Sequence, residues 1–207
     1  MAQKINRWRF SHISEKQFML LISIPTCFLA GLSSIIIKKL AHYIRDYFYN
    51  IATHEDHYGL LFFILPAIGI LLTILFCRYV LKRDVGHGIP GILYAIQKNK
   101  GAVKPYNTFA SIITSALTVG FGGSVGLEGP SVSTGSAIGS NIGQLLRLNQ
   151  KHIVVLIGMG CAAALASIFQ APITGIIFAI EVFMIDISMA SLIPIIVSSF
   201  VAILTSY

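Results

Sequence analysis

The sequence predicts an all-α membrane protein, a bundle of full-length and partial transmembrane helices. Three observations carry that prediction. Of 207 residues, 55% are hydrophobic and only 11% charged, where soluble domains run at about 25% charged. Six stretches hold no Asp, Glu, Lys or Arg: 17–37, 58–77, 105–127, 129–146, 152–180 and 187–207. Most approach or exceed the ~20 apolar residues that cross a bilayer as a helix. Gly129-Pro130 and Ala171-Pro172 break the later part of the chain, and the piece over 171–183 is too short to cross comfortably.

The formal charge of +7 does not point to nucleic acid, because the bases flank apolar runs and form no stripe interleaved with aromatics. Basic flanks orient membrane segments. On that rule residues 1–17, with Lys4, Arg7, Arg9 and Lys16, form a short cytoplasmic lead, and 18–207 form the membrane domain. The 78–104 loop is expected on the cytoplasmic side, with 18–77 as an out-and-back pair. The lead differs from a secretory signal, since the apolar run behind it is long enough to span; an uncleaved first helix and a multi-pass protein of the cell membrane are expected. Cys27, Cys77 and Cys161 show no paired spacing and read as buried small hydrophobes.

Along the chain, a long helix is expected from Phe18 into "KKLAHYIRDYF", with Pro25 as a candidate kink. "NIATHEDH", 50–57, reads as a polar turn. Its His54 and His57 with Glu55 and Asp56 suit a solvated loop better than a metal, so neither metal nor cofactor is expected. A second span covers 58–80. After Pro90 there is room for about nine helical residues, about 14 Å at 1.5 Å per residue and half the hydrocarbon thickness. Helices over 105–121, 129–147, 150–170 and 171–183 follow. Gly135, Gly139 and Gly143 recur every four residues in the second of these, a face that lets helix backbones touch.

Partial helices exposed to lipid would leave backbone groups unsatisfied, so their ends belong at an internal site. Two breaks share one design: Gly86-His87-Gly88-Ile89-Pro90 and Gly126-Leu127-Glu128-Gly129-Pro130. In each, glycines lead into a Pro suited to the first position of a helix. The opening N–H groups of a helix lack intrahelical partners, and the macrodipole adds about half a positive charge there. Such a start holds an anion without a full charge, weakly enough to release it. Glu128 is the sole charged residue between Lys104 and Arg147. A carboxylate at that position can fill the anion's place and yield it on swinging away or taking a proton, which makes it gate and proton acceptor at once. The run "GFGGSVG" lacks the third glycine, preceding strand and Lys of a nucleotide loop. An enzyme is not expected: no second catalytic group neighbours Glu128, and no H-E-x-x-H occurs.

"GLEGPS", with "GxGIP" upstream and "APITGIIFAIE" downstream, resembles the CLC chloride channels and proton/chloride antiporters, whose signature is G-[KR]-E-G-P. The resemblance implies that 18–207 is the first of two inverted halves and that the complete protein is a homodimer with one pore per subunit. It implies that Glu128 is the external gating glutamate, and that amides near Gly86, His87, Gly126, Leu127 and Gly129 face chloride or another small anion. It further implies that a C-terminal half, with its own G-x-F-x-P helix start and a tyrosine, completes the pore.

The chain departs from the pattern at three positions. Leu127 replaces the basic residue of the signature. His87 stands where chloride-selective members carry Ser, and an imidazole titrates near neutrality, so pH sensitivity is expected. The acid of "APxxGxxFxxE" is Glu181, a possible secondary acid that also fits a structural or interfacial place. The next position, where antiporters carry an internal proton-transfer glutamate, is Val182. Channel-like chloride permeation is therefore the first expectation, with a proton-coupled antiporter and a non-conducting half as alternatives.

Overall fold

A computed structural model describes residues 14–52, 58–82, 88–185 and 188–206, which are helical, with no strand among them. The helices are α1 (Glu15–Ala52), α2 (Tyr58–Leu75), α3 (Ile89–Lys98), α4 (Tyr106–Gly120), α5 (Glu128–Leu145), α6 (Gln150–Phe169), α7 (Pro172–Phe183) and α8 (Met189–Ser206). A π-helical turn, Phe76–Leu81, extends α2 and stops at Lys82, whose φ is +49°.

By length and composition, Gln17–Asn50, Ile64–Leu81 and Gln150–Phe169 are long and apolar enough to cross a membrane. α3 and α7, with 10 and 12 residues, reach only ~15 and ~18 Å. The outward faces are as apolar as the interior: Leu21, Ile24 and Phe28 of α1 and Ile70, Leu71 and Ile74 of α2 are all exposed. Lipid, not water, suits such faces.

α6 is the axis of the packing. It contacts α1, α5, α7 and α8, and from Leu156 to Ser167 every residue is buried. Its closest neighbour is α5. A Cβ added to Gly135 would collide with the Gly160 carbonyl oxygen, one on Gly139 with the Leu156 carbonyl, and one on Gly160 with the Gly135 carbonyl. The four-residue glycine repeat of α5 is thus a backbone-to-backbone contact, as its spacing predicts. α2 sits farthest out, packed mainly on α4, where Gly69 lies against Phe121.

Several boundaries differ from the sequence reading. α1 begins at Glu15, three residues early, and continues through Pro25 to Ala52; the remainder of the expected polar turn, with His54, Glu55, Asp56 and His57, lies outside the described residues. α3 starts at Ile89 and α5 at Glu128, so Pro90 holds the second helical position and Pro130 the third, not the first. Both remain in the opening turn, where a missing N–H costs no intrahelical bond. Pro172 does open α7. Cys27 and Cys161 are buried as expected, but Cys77, on the π-helical turn of the outermost helix, is only half-buried.

Gly139→Ala is expected to destabilise the protein by roughly 1–3 kcal/mol, the usual cost of overpacking, since the obstructing atom is backbone and cannot rotate away. Gly129→Ala, whose added Cβ meets nothing within 4 Å, should leave thermal stability unchanged. Melting both variants in detergent tests the contrast; equal midpoints would show that the α5–α6 contact is not the constraint.

Candidate functional site

α5 and α3 are held together from below. Beyond α3 the chain turns at Asn99–Val103, and α5 grips this turn. Ser140 Oγ donates to the Gly101 carbonyl and accepts from the Val103 N–H at 2.9 Å. Gln144 Nε2 donates to the Val103 carbonyl at 2.9 Å and to Ser140 Oγ at 3.0 Å. The apolar face of α3, with Ile92 and Ala95 buried and Ile89 and Leu93 packed beside them, joins the core cluster that contains Val132. Ile89 is the first residue of α3 and Val132 lies one turn beyond Glu128, so the two glycine-led helix starts belong to one packed unit.

Neither start is capped by a side chain. α6 shows the contrast: Asn149 Oδ1 accepts from the His152 N–H at 3.0 Å and closes that helix. α4 and α7 are also without side-chain caps, but of these four helices only α3 and α5 combine an uncapped start with glycines in open space. A Cβ added to Gly88 or Gly129 would meet nothing within 4 Å. Gly88 caps α3 at φ +62°, a conformation in which a side chain would be strained.

Glu128 is the first residue of α5 and is exposed in this chain. Its carboxylate turns back over the approach to the helix: a Cβ added to Gly126 would lie 3.7 Å from Glu128 Cδ. The acid therefore stands at the electropositive end of α5, where the dipole favours negative charge. Leu127, the N-cap, is helical in φ/ψ (−81°, −3°) and half-buried, as are Gly129 and Pro130. Of the α3 candidates, Gly88, Ile89 and Pro90 sit at the helix start, whereas Gly86 and His87 lie outside the described residues. Glu181 is exposed two residues before the end of α7 and does not share the glycine-led break of α5.

The approach to Glu128 is a turn rather than a nucleotide loop. α4 ends as Gly122 N–H donates to the Val119 carbonyl and Gly123 N–H to the Thr118 carbonyl. Gly122 adopts φ +91°, and the Phe121 ring packs, tilted, against Phe48 of α1 with centroids 4.6 Å apart. No group of His, Cys, Asp or Glu among the described residues is placed to hold a metal ion.

Sequence reasoning missed the grip of Ser140 and Gln144. Their i, i+4 spacing on a glycine-faced helix was the available signal. It also missed Ser131 and Thr134, buried one and two turns beyond Glu128 with hydroxyls that have no hydrogen-bond partner; nothing in the residue pattern distinguishes them from the bonded serines nearby.

A profile of the voltage gated chloride channel family matches residues 68–207. A ClcB-like protein of Ralstonia nicotianae is 32% identical over 143 residues, covering 67% of this chain and 33% of that protein. A chloride channel protein of Tetronarce californica is 33% identical over 156 residues, 67% of this chain and 19% of its own. Among solved structures, a CLC-type fluoride/proton antiporter aligns with a TM-score of 0.72 at 29% identity, over 91% of this chain and 46% of its own. A slow cyanobacterial Cl⁻/H⁺ antiporter aligns at 0.78 over the same shares, at 19% identity, a likeness of fold. The chain thus spans a third or less of these curated relatives and under half of the solved antiporters.

Ser140→Ala removes one hydroxyl that serves two backbone groups of the 99–103 turn. It is expected to cost roughly 1–3 kcal/mol, the penalty for stranding buried partners, and to speed amide exchange at Val103 selectively. Unaltered exchange at Val103 in the variant would show that the hydroxyl does not anchor α3 to α5.

Proposed function

The chain belongs to the voltage gated chloride channel family, and from that premise we propose that it forms the first of two inverted halves of a transmembrane anion pathway. Chloride or another small anion is held at the uncapped starts of α3 and α5, and Glu128 opens and closes the path. The observation that carries this reading is the placement of Glu128: the lone charged side chain of the 42-residue segment 105–146, on an uncapped, glycine-flanked helix start, with its carboxylate folded over Gly126.

The proposed cycle follows from charge. At the helix tip the carboxylate and an incoming anion compete for the same amide donors, and two negative charges at contact distance repel strongly in a low-dielectric site. Entry of the anion therefore requires the carboxylate to swing out or to accept a proton. Open space around Gly88 and Gly129 leaves room for the backbone to meet the ion directly. Gly86, His87 and Leu127 complete the proposed lining, with the His87 imidazole in the place of a hydroxyl. A second half supplies the facing wall, and two such subunits pair as a homodimer; residues 1–17 remain the proposed cytoplasmic lead and 18–207 the proposed membrane domain.

A second reading is proton-coupled exchange, favoured by the likeness to the fluoride/proton antiporter. Val182 in place of a second acid favours the channel-like form. The two differ in a measurable quantity. With the full gene product reconstituted in vesicles under opposed chloride and proton gradients, passive permeation predicts a reversal potential indifferent to pH, and coupled exchange predicts one that moves with the proton gradient.

For Glu128→Ala, anion flux is expected to lose its dependence on external pH, and Glu128→Gln should resemble the protonated wild type. Wild-type flux and wild-type pH response in both variants would remove Glu128 from the gate. His87→Ser is expected to shift the permeability ratio among small anions and to flatten the pH dependence between about 5 and 8; unchanged ratios and an unchanged profile would mean that only the backbone serves the ion there.

A further inference from the structure

A cavity of about 420 Å³, whose lining does not include Glu128, opens on α1 where the carboxyl ends of α6 and α8 meet it. Its volume falls in the ~300–1,000 Å³ range of small-molecule sites. Lys38, Lys39, His42 and Asp46 line it from α1, and Gln170 from the end of α6. Its deepest α1 residue is Ser34, wholly buried, whose hydroxyl has no hydrogen-bond partner. The neighbouring Ser33 donates back to the Ala30 carbonyl at 2.7 Å, in the ordinary helical way; Ser34 does not. A buried hydroxyl left without a partner costs about 1–3 kcal/mol, so an unmade bond at the edge of a cavity is a position for a ligand atom.

The charges select the ligand. Lys38 and Lys39 contribute two positive charges, and neither pairs with an acid among the described residues. Asp46 is engaged by the Arg45 guanidinium at 3.4 Å, which offsets its charge. The carboxyl ends of α6 and α8 contribute about half a negative charge each. The sum is about one positive charge, and this matches a monoanion. Depth narrows the choice further. Lys38 lies 21 residues beyond Gln17 on one helix, a rise of about 32 Å, against a hydrocarbon core of about 30 Å. The lysines therefore reach the level of the headgroups on the membrane face opposite Gln17.

We infer that this cavity binds a phosphate-ester anion, with Lys38 and Lys39 on its oxygens and Ser34 donating the bond it otherwise lacks. The site stands apart from the anion path proposed above, and its test reads no flux, so the two stand or fall separately.

Native mass spectrometry of the full gene product in detergent, titrated with dioleoylphosphatidylglycerol and with dioleoylglycerol, isolates the phosphate because the acyl chains are the same. Binding of the phosphatidylglycerol alone is expected, with a fivefold or greater loss of affinity in the Lys38→Gln/Lys39→Gln double variant and no loss in Lys98→Gln/Lys104→Gln. Ser34→Ala should also lose affinity severalfold while melting no lower than wild type without lipid, because the hydroxyl it removes has no partner in the protein; it decides the question alone if the double variant does not fold. A parallel thermal-shift titration with inorganic phosphate identifies the source. A shift that the same variants abolish assigns the site to a free aqueous anion, and its absence beside lipid binding assigns it to the headgroup. Equal retention of both lipids, or wild-type affinity in the double variant or, where that does not fold, in Ser34→Ala, together with no response to phosphate, overturns the inference.

Discussion

Backbone groups at a helix end inside hydrocarbon must be covered, and nearly every feature of this chain answers to that constraint. An unsatisfied N–H or C=O in lipid costs several kcal/mol, and α3 and α7 are too short to carry both of their ends to water. α6 provides the cover. It is buried along most of its length, and four other helices lean on it. Such crowding around one helix is possible only where side chains vanish. Gly135, Gly139 and Gly160 bring α5 and α6 together at their carbonyls, and an alanine-rich stretch, Ala162–Ala164, continues the narrow waist. In lipid there is no hydrophobic drive to hold helices together, so close van der Waals contact takes its place. The same glycines that look like weak helix formers in water are what fix the position of α5, and with it the position of Glu128.

Once α5 is fixed, the start of α3 follows. Ser140 and Gln144 hold the turn after α3 by its backbone, and the shared core around Val132 and Ile92 holds its side. Rigidity below and openness above are therefore built by one helix. The lower half of α5 is buried and bonded, while its tip is uncapped and its flanking Gly129 faces open space. The anion site proposed at this tip needs that combination: donors held in place by the fold and capped by no side chain.

Much of this was legible in the residues because lipid makes the rules strict. Charge-free runs of about 20 residues, Pro after Gly and a four-residue glycine repeat each have few alternative meanings, and helix existence and order followed from them. What escaped was what depends on a residue's neighbours across the fold. The opening turns shifted by one or two residues, because Pro is tolerated throughout the first turn and not only at its first position. The π-helical turn at Phe76–Leu81 has no marker in composition. Ser140 and Ser131 are the same residue type nine positions apart on one helix, yet one serves two backbone groups and the other none; only the packing around each decides. Lys38 and Lys39 read as flanking bases, which they are, and nothing in the sequence revealed a cavity beneath them.

The two polar features of the chain differ in how they treat charge, and the difference is physical. At the tips of α3 and α5 the positive potential comes from backbone dipoles, whose strength is set by the fold and which fall off within about a turn. An anion there is attracted only when close and is not held from a distance, as suits an ion in transit. At Lys38 and Lys39 the potential comes from full charges on long flexible stems, which follow a ligand as it moves and are worth most where water is partly excluded. That arrangement favours residence over passage.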